Sequence, residues 1–492
     1  MAERKALILG SHPLAESLIL QYLGRGFEVT HKKGDEALKA IASDAEEVVL
    51  LSEGDDNATM AHLARIAAGI DMSARNGKKL LCHLMLVSQK VLRTLQTTEF
   101  CDAIREKMDV YPFTMDDVWS RSIQLDREPI TLQSDRHVHL VIFGMNDMAE
   151  AVAISAAHVA HYPNYVRDHS LRTRITLVET QAEQKSKDFI KRYQHLFDNS
   201  YYRIVKPSEE EAIKLFHKPM YSDVREDFVD VEWEFVEAEV SNDILRNKLS
   251  QWASDSKQLL TIVMADSDNN KNISEAMLLP KAIYKEDIPV YIYSRHGEAS
   301  VPTKNMRLFG MQDSGYDTTL PLARMAKNIN FIYGRCYADE EQVRYAAEID
   351  FEERETAWSK LPMVKRMSSI YNAMSLATKM HSIGLKEDEW DKFYDIPQHD
   401  IEILAQTEHN RWSVEELILG WRPCTEEEQQ RVEADITQKR VLKSNRVHYD
   451  LRAYDDLRPD ETGKSAKIYD ICLCSCLPLI AKTFAEDNGE EP

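Results

Sequence analysis

The feature that most constrains the fold is a unit of strand, turn, helix and strand between residues 136 and 179. Its first apolar run, His139 to Phe143, has the length and aliphatic content of a buried parallel strand. The turn GMNDMA follows at once, and the alanine-rich stretch from Ala149 to Ala160 predicts a helix. A second apolar strand, Arg174 to Val178, ends on the carboxylate of Glu179. Two parallel strands joined by a helix predict an α/β fold.

The turn of this unit is similar to the dinucleotide-binding fingerprint, which needs small residues where the backbone bends, approaches a pyrophosphate and packs a helix on a strand. Gly144 and Ala149 fit the first and third positions, whereas Asn146 replaces the second glycine. Glu179 is placed to accept hydrogen bonds from ribose hydroxyls. It follows Gly144 by 35 residues, against about 20 in the usual spacing. The alternative is a parallel-sheet domain whose turn binds nothing.

Later strands add further candidate ligands. Gln258 to Met264 predicts a buried strand, so Asp266 sits at a carboxyl end, where open α/β sheets bind their ligands. Ile288 to Tyr293 predicts another strand, and Arg295 after it either counters a phosphate charge or lies in water. The predicted cofactor-binding residues are Gly144, Asn146, Asp147, Met148, Ala149, Glu179 and Asp266.

The first residues of the chain repeat the same design. A strand at Lys5 to Leu9 runs into a turn with Gly10, His12 and Ala15 at the three fingerprint positions, and a helix and a second strand follow. That strand ends in His31, Lys32 and Lys33, where an acid would hold a ribose. A basic end suits a 2′-phosphate, but loss of the ligand and a role in packing is the favoured interpretation.

Two long segments interrupt or follow the α/β pattern. The polar excursion from 180 to 231 predicts a lid, a binding loop or a partner surface, because long insertions in compact domains usually carry a function. A solvated elaboration without function is the alternative. From Thr318 to Met380 the chain has long runs of helix formers and no strand signal, which indicates a helical connector or dimerisation arm.

The net charge and the apolar segments of the chain bear on whether it binds nucleic acids or membranes. The formal net charge of −21 argues against a nucleic-acid-binding surface and against binding to anionic membranes. The N-terminus enters a strand without a signal-peptide pattern, and the apolar run Ile471 to Ile480 is too short to span a bilayer. Cys472, Cys474 and Cys476 do not have the spacing of a zinc site and are interpreted as buried thiols. We therefore expect a cytoplasmic protein without direct membrane insertion.

The segment from Gln406 to Tyr469 is the most specific stretch of the chain. On one predicted helix, His409, Trp412 and Glu416 share a face, and Trp421 follows Gly420 at the helix end. Two tryptophans beside His, Arg and Asp residues suit the stacking of a purine, or alternatively a well-anchored small core.

The order of motifs EHNRW, GW, K, HYDL, YDDL and KIYD in this segment resembles the ryanodine-receptor repeat (RyR) domain, over Ile396 to about Lys482. The chain departs from the family at Arg422, Pro423 and Cys424, where an aromatic residue and a glycine are common. The resemblance implies a site for a nucleotide-like molecule. The matching residues assigned to this second ligand site are His409, Asn410, Trp412, Trp421, Lys443, His448 and Tyr454.

Residues 4 to about 310 resemble the NAD-binding domain of Trk-type potassium-uptake proteins (TrkA-N, or RCK N-terminal domain), mainly through FGMNDMAEA and the strand that ends in Glu179. This resemblance implies a Rossmann-like regulator that binds NAD, NADH or another adenine nucleotide or ADP-ribose derivative. It also implies a membrane transporter or effector protein as partner. Pairing of such domains predicts a pseudo-dimer within one chain, and we also expect a homo-oligomer.

The complete prediction is an α/β protein with two doubly wound, Rossmann-like domains with parallel sheets, a helical connector and a small, mainly α C-terminal RyR domain. The predicted ranges are 1–122, 136–312 with the insertion at 180–231, 318–385 and 396–485.

Three functions are consistent with the sequence. The first is a non-enzymatic nucleotide sensor, linked to potassium transport or to a stress or defence response. The second is a scaffold in which both nucleotide folds are vestigial. The third is an enzyme, either NAD-dependent with His296 or nucleotide-modifying with Glu408 and His409. The chain has no GxSxG elbow, HExxH pair or P-loop, which places the enzyme last.

Overall fold

The computed structural model describes residues 4–39, 44–208, 212–219, 227–295, 303–336, 349–386, 388–459 and 465–483. Within these ranges the chain is an α/β protein with two sheets rich in parallel strands, as the sequence predicts. The domain boundaries drawn from the sequence stay predictions.

The first sheet consists of five parallel strands in the order β2-β1-β3-β4-β5. Its strands are β1 (Lys5–Leu9), β2 (Glu28–Lys32), β3 (Glu47–Leu50), β4 (Leu80–Leu86) and β5 (Met108–Thr114). Its helices are α1 (Leu14–Gly24), α2 (Gly34–Lys39), α3 (Asp56–Gly69), α4 (Gln89–Thr97), α5 (Asp102–Arg105) and α6 (Met115–Ser120). The central strands are apolar because helices cover both faces of the sheet.

The second sheet has eight strands in the order β13-β12-β11-β6-β7-β10-β8-β9. They are β6 (His137–Phe143), β7 (Thr173–Glu179), β8 (Tyr202–Lys206), β9 (Ala212–His217), β10 (Val231–Glu237), β11 (Gln258–Met264), β12 (Val290–Tyr293) and β13 (Met306–Phe309). Without β8 and β9, the order is the 3-2-1-4-5-6 order of dinucleotide-binding domains. The first sheet has the 2-1-3-4-5 order instead. The part of the chain with the first sheet (β1 to α6, the first half) and the part with the second sheet (β6 to β13, the second half) therefore share a local design but not a topology.

The insertion predicted at 180–231 contributes to this sheet. It begins with two helices, and then β8 pairs in parallel with β10 while β9 pairs antiparallel with β8. Part of the insertion is therefore an extension of the sheet edge. The helices of this half are α7 (Asp147–Val159), α8 (Asn164–Arg167), α9 (Ala182–Arg192), α10 (Gln194–Asp198), α11 (Asp243–Ser254), α12 (Asn269–Leu278) and α13 (Lys281–Lys285).

The remainder of the described chain is mainly helical. The connector contains α14 (Pro321–Arg335), α15 (Phe351–Lys360), α16 (Met363–Met374) and α17 (Leu376–Ser382). The C-terminal part contains α18 (Trp390–Phe393), α19 (Gln398–Ile418), α20 (Glu426–Ala434), α21 (Gln438–Ser444), α22 (Ile468–Ser475) and α23 (Leu477–Ala481), with the short strands β14 (Arg422–Pro423) and β15 (Val447–His448). None of the described helices has the length and apolar character needed to cross a lipid bilayer.

The parts of the chain pack closely against one another. Helix α6 of the first half lies on α7 of the second half, and one apolar cluster contains residues from both sheets. Helix α19 is buried along nearly its whole length, since it contacts α7, α10 and the connector helix α16. Four of its charged residues, Glu408, Arg411, Glu415 and Glu416, are therefore buried as well, and each needs a partner.

Candidate functional site

The candidate site of the second half lies where the strand order reverses, between β6 and β11. Phe143, the last residue of β6, pairs with Met264 of β11 on one side and with Val178 of β7 on the other. The segments that follow these three strands therefore meet at one edge of the sheet. The structure thus brings Gly144, Glu179 and Asp266 together at the switch point, where open α/β sheets bind ligands.

Gly144 is required at this point by the packing of the backbone. Its φ angle is +113°, and a Cβ atom added there would lie 3.0 Å from the carbonyl oxygen of Ala265. Gly10 in the first half has the same role, with a φ of +120° and the carbonyl oxygen of Leu51 at 2.6 Å. Both glycines fulfil the first requirement of the fingerprint, a tight turn out of a central strand.

Asn146 forms hydrogen bonds that the sequence did not reveal. Its Oδ1 accepts from the backbone N–H of Ala149 at 3.0 Å, which caps α7. Its Nδ2 donates to the carbonyl oxygen of Ala265 at 2.7 Å, which ties the start of α7 to the end of β11. The asparagine at the second fingerprint position is thus a structural tie across the crevice.

Glu179 is held in place by its neighbours. Its Oε1 accepts hydrogen bonds from the backbone N–H and the hydroxyl of Thr180, and its Oε2 lies 2.6 Å from Nζ of Lys185. Partial burial works to raise the pKa of Glu179, but the hydrogen bonds from Lys185 and Thr180 outweigh it and lower the pKa below its usual value. The group is therefore ionised, as acceptance from ribose hydroxyls requires.

Asp266 has a similar arrangement at the end of β11. Its Oδ2 lies 2.6 Å from Nζ of Lys271, and its Oδ1 accepts from the backbone N–H of Asp268 at 3.0 Å. Burial works to raise the pKa of Asp266, yet the bond from Lys271 and the backbone bond lower it. Glu179 and Asp266 thus each have a lysine beside them.

The mouth of the crevice is more acidic than the sequence pattern suggested. Asp147 in the first turn of α7 is exposed, and Asp116 approaches it from the first half. Burial, and then the charge of Asp147, raises the pKa of Asp116 to about 6, while the charge of Arg295 opposes that rise. Nε of Arg295 donates to the hydroxyl of Tyr293 at 3.0 Å. A phosphate entering here would meet one arginine and two acids.

Glu150, one helical position beyond the fingerprint, is a further residue that sequence reasoning missed. Its carboxylate forms ion pairs with Arg192 from α9 and with Arg93 from α4 of the first half, and it accepts from the hydroxyl of Tyr193 at 3.0 Å. The sequence did carry one sign of its importance, because Glu150 is an acid within the alanine-rich, buried helix α7. The first half therefore contributes a cation beside α7.

The switch point of the first half has a cavity of about 260 Å³, lined by Gly10, Glu53, Asp55 and His62 among others. The basic end of β2 does not line it. His31 instead bonds the carbonyl oxygen of Gly10 through Nε2 at 2.9 Å. An acidic cavity is unfavourable for a phosphate, which agrees with a packing role for this copy.

The residues of the predicted second ligand site largely come together in the C-terminal part. The ring of His448 lies 4.9 Å from that of Trp412 and 5.7 Å from that of Trp421, edge to face in both cases. His409 lies 5.5 Å from Trp412 and 5.8 Å from the ring of Tyr454. Because His448 occupies the space between the two indoles, this arrangement favours a packed aromatic core over an open stacking slot.

His409 and Glu408 are engaged in structural contacts. Nε2 of His409 donates to the carbonyl oxygen of Arg452 at 2.9 Å, and its Nδ1 lies 3.3 Å from Asp470. Glu408 is buried against Arg411 and Lys379, each at 2.8 Å. Burial works to raise the pKa of Glu408, but these two cations lower it to about 2. Such a carboxylate is a poor general base near neutral pH.

The other predicted residues differ in exposure. Asn410 is buried, whereas Lys443 is exposed. His296 of the enzyme hypothesis lies outside the described residues. Cys472, Cys474 and Cys476 are buried thiols, and no group of three potential ligands in the described part of the chain is arranged to hold a metal ion.

Comparison with known proteins gave no match to a protein-family model, a curated protein or a solved structure.

Proposed function

We propose that the protein is a non-enzymatic regulatory protein that senses a nucleotide, either NAD or NADH or another adenine nucleotide or ADP-ribose derivative. The observation that carries this proposal is the position of Gly144, Glu179 and Asp266 at the carboxyl ends of three adjacent parallel strands, where the strand order reverses. In this proposal Gly144, Asn146, Asp147, Met148 and Ala149 form the wall of the crevice.

The contacts within the crevice suggest how such a ligand would bind. Ribose hydroxyls would donate to Glu179, which is ionised and already oriented by Thr180. Arg295 is an exposed cation that would face a phosphate from the side of β12. The negative charges of Asp116 and Asp147 oppose phosphate binding. The crevice would therefore bind the ligand best when Asp116 is protonated.

The partner and the setting of this sensor follow from the resemblances to the TrkA-N and RyR domains. We propose a cytoplasmic homo-oligomer that acts on a membrane transporter, such as one for potassium, or on an effector of a stress or defence response. The packing of α6 on α7 supports transmission of a signal between the two halves, because a change at the start of α7 acts on both.

The enzyme hypothesis is the weaker alternative in this structure. The carboxylate of Glu408 is buried and paired, and both ring nitrogens of His409 have partners. The scaffold hypothesis makes a different prediction from the sensor, namely that no nucleotide binds at either site.

Thermal-shift titration with NAD, NADH, NADP, ATP and ADP-ribose tests the proposal. A hundredfold excess over the dissociation constant stabilises the protein by about 2.7 kcal/mol, and Glu179→Ala should abolish the shift. Glu237→Ala is the matched control, because Glu237 pairs in register with Glu179 one strand farther from the switch point. Loss of the shift only in Trp412→Ala would move the site to the C-terminal aromatic cluster, and no shift with any nucleotide would favour the scaffold.

A further inference from the structure

Two neighbouring cavities lie at the junction of the two α/β halves and the connector. The larger, about 520 Å³, lies between the segment 120–126, β6 and α7 of the second half, and α14, α16 and α17 of the connector. The smaller, about 330 Å³, lies between β5, α6 and the connector. Arg121, Ser122 and Leu322 line both, and we call the two neighbouring cavities together the junction chamber.

The size and walls of the junction chamber suit a small organic molecule. The larger cavity falls within the range of about 300–1,000 Å³ that is usual for ligand sites. Leu140 and Val152 from the second half and Met374 and Ala377 from the connector give it an apolar wall. Ser122 and Gln124 at its edge are exposed, which provides an entrance from solvent.

Arg121 supplies a charged anchor beside this apolar wall. Its guanidinium forms an ion pair with Asp117, while its buried Nε has no hydrogen-bond partner among the described residues. The other charged groups of the chamber have partners. Asp126 lies 3.0 Å from Nδ1 of His381, and Arg366 is paired with Asp109. Among the charged groups that line the chamber, Arg121 is therefore a cation with donor capacity left for a ligand.

We propose that the junction chamber binds a small amphipathic carboxylate, with its head group at Arg121 and its apolar body against Leu140, Val152 and Met374. None of the residues assigned to the nucleotide site lines the chamber, so this is a separate site and the proposal goes beyond the nucleotide sensor. A ligand there contacts both α/β halves and the connector at once. Its binding would stabilise their packing against one another.

Isothermal titration calorimetry of the full chain with octanoate and with 1-octanol tests the proposal. Octanoate should bind at one saturable site. Arg121→Gln should weaken octanoate at least tenfold and change 1-octanol less than twofold, because only the carboxylate uses the guanidinium. Arg105→Gln, which removes an exposed arginine of the first half, should match the wild type.

Ala377→Phe should abolish binding of both compounds by filling the cavity. If thermal melting shows that this variant is unfolded, Met374→Trp serves the same purpose from the same wall. The absence of saturable octanoate binding to the wild type would overturn the proposal. The proposal would also be overturned if Arg121→Gln bound octanoate as tightly as the wild type. The same holds if a folded cavity-filling variant still bound octanoate.

Discussion

The side-chain amide of Asn146 donates a hydrogen bond to the carbonyl oxygen of Ala265 at 2.7 Å, across the switch point between β6 and β11. The same side chain caps α7 through its Oδ1. One asparagine therefore sets both the start of the helix and its distance from the neighbouring strand, which together define the crevice.

Replacement of Asn146 by alanine should destabilise the protein more than loss of a helix cap alone. An N-cap contributes about 0.5–2 kcal/mol, and the bond to Ala265 adds about 0.5–1.5 kcal/mol. Asn242→Ala is the matched control, since Asn242 caps α11 by accepting from Leu245 and makes no second bond of this kind to the described residues. Urea unfolding followed by circular dichroism measures the difference. Equal effects in the two variants would show that the bond to Ala265 contributes nothing.

Gly144→Ala should destabilise the second half through both backbone strain and a clash. A non-glycine residue at a strained φ costs about 1–3 kcal/mol, and the new Cβ would lie 3.0 Å from the carbonyl oxygen of Ala265. Gly26→Ala separates the two effects, because Gly26 has a φ of +77° but no atom of the described part of the chain lies within 4 Å of an added Cβ. We expect a lower melting temperature for Gly144→Ala than for Gly26→Ala. The reverse order would contradict the close approach of the strands.

The alternation of apolar strands and helices made the α/β class predictable. The strand predicted at His139 to Phe143 is the core of β6, and Glu179 ends β7 as expected. Strand order was not predictable, because it depends on pairing between distant segments, and the extension by β8 and β9 fell in a polar stretch. The bond from Asn146 to Ala265 and the pairing of Glu150 with Arg93 also join residues that are distant in the sequence. The local sequence pattern therefore could not predict either contact.

Buried charges around α19 should make the protein sensitive to loss of a single cation. Arg411 bonds Glu408 and Glu415, and all three are buried. Arg411→Met leaves Glu415 without its cation and should cost about 3–5 kcal/mol, as is usual when a buried pair loses one partner. Arg105→Met, at an exposed pair with Asp102, should change stability by less than about 0.5 kcal/mol. A small effect of Arg411→Met in denaturant unfolding would show that water reaches the network.

The pH dependence of stability should show the contribution of Glu408. Its pKa is about 2 in the folded protein, against an ordinary value of 4.5 that applies to the unfolded chain. Between pH 2 and pH 4.5 the folded state therefore binds fewer protons than the unfolded state. The stabilisation is complete above pH 4.5 and is lost as the pH falls toward 2. Glu408→Gln should therefore show a smaller loss of unfolding free energy than the wild type over that window. An identical pH profile would show that folding does not lower the pKa of Glu408.

Glu416 should have the opposite effect from Glu408 on the pH dependence of stability. Burial raises its pKa to about 7 from 4.5, with the charge of Lys365 opposing the rise. The folded state then holds more protons between these values, so its contribution is present below pH 4.5 and is lost as the pH rises through 7. Glu416→Gln should reduce the fall in melting temperature between pH 5 and pH 8. A steeper fall in the variant would contradict the assignment.

Hydrogen–deuterium exchange of the full chain, with and without the nucleotide that gives the largest thermal shift, tests the central claim most directly. We expect ligand to protect the backbone amides of 144–150 and 265–268, because the crevice outside β6 and β11 closes on it. Glu179→Ala should remove that protection. Protection confined to 409–421 and 447–454, or no protection at a saturating concentration, would contradict a nucleotide site at the switch point.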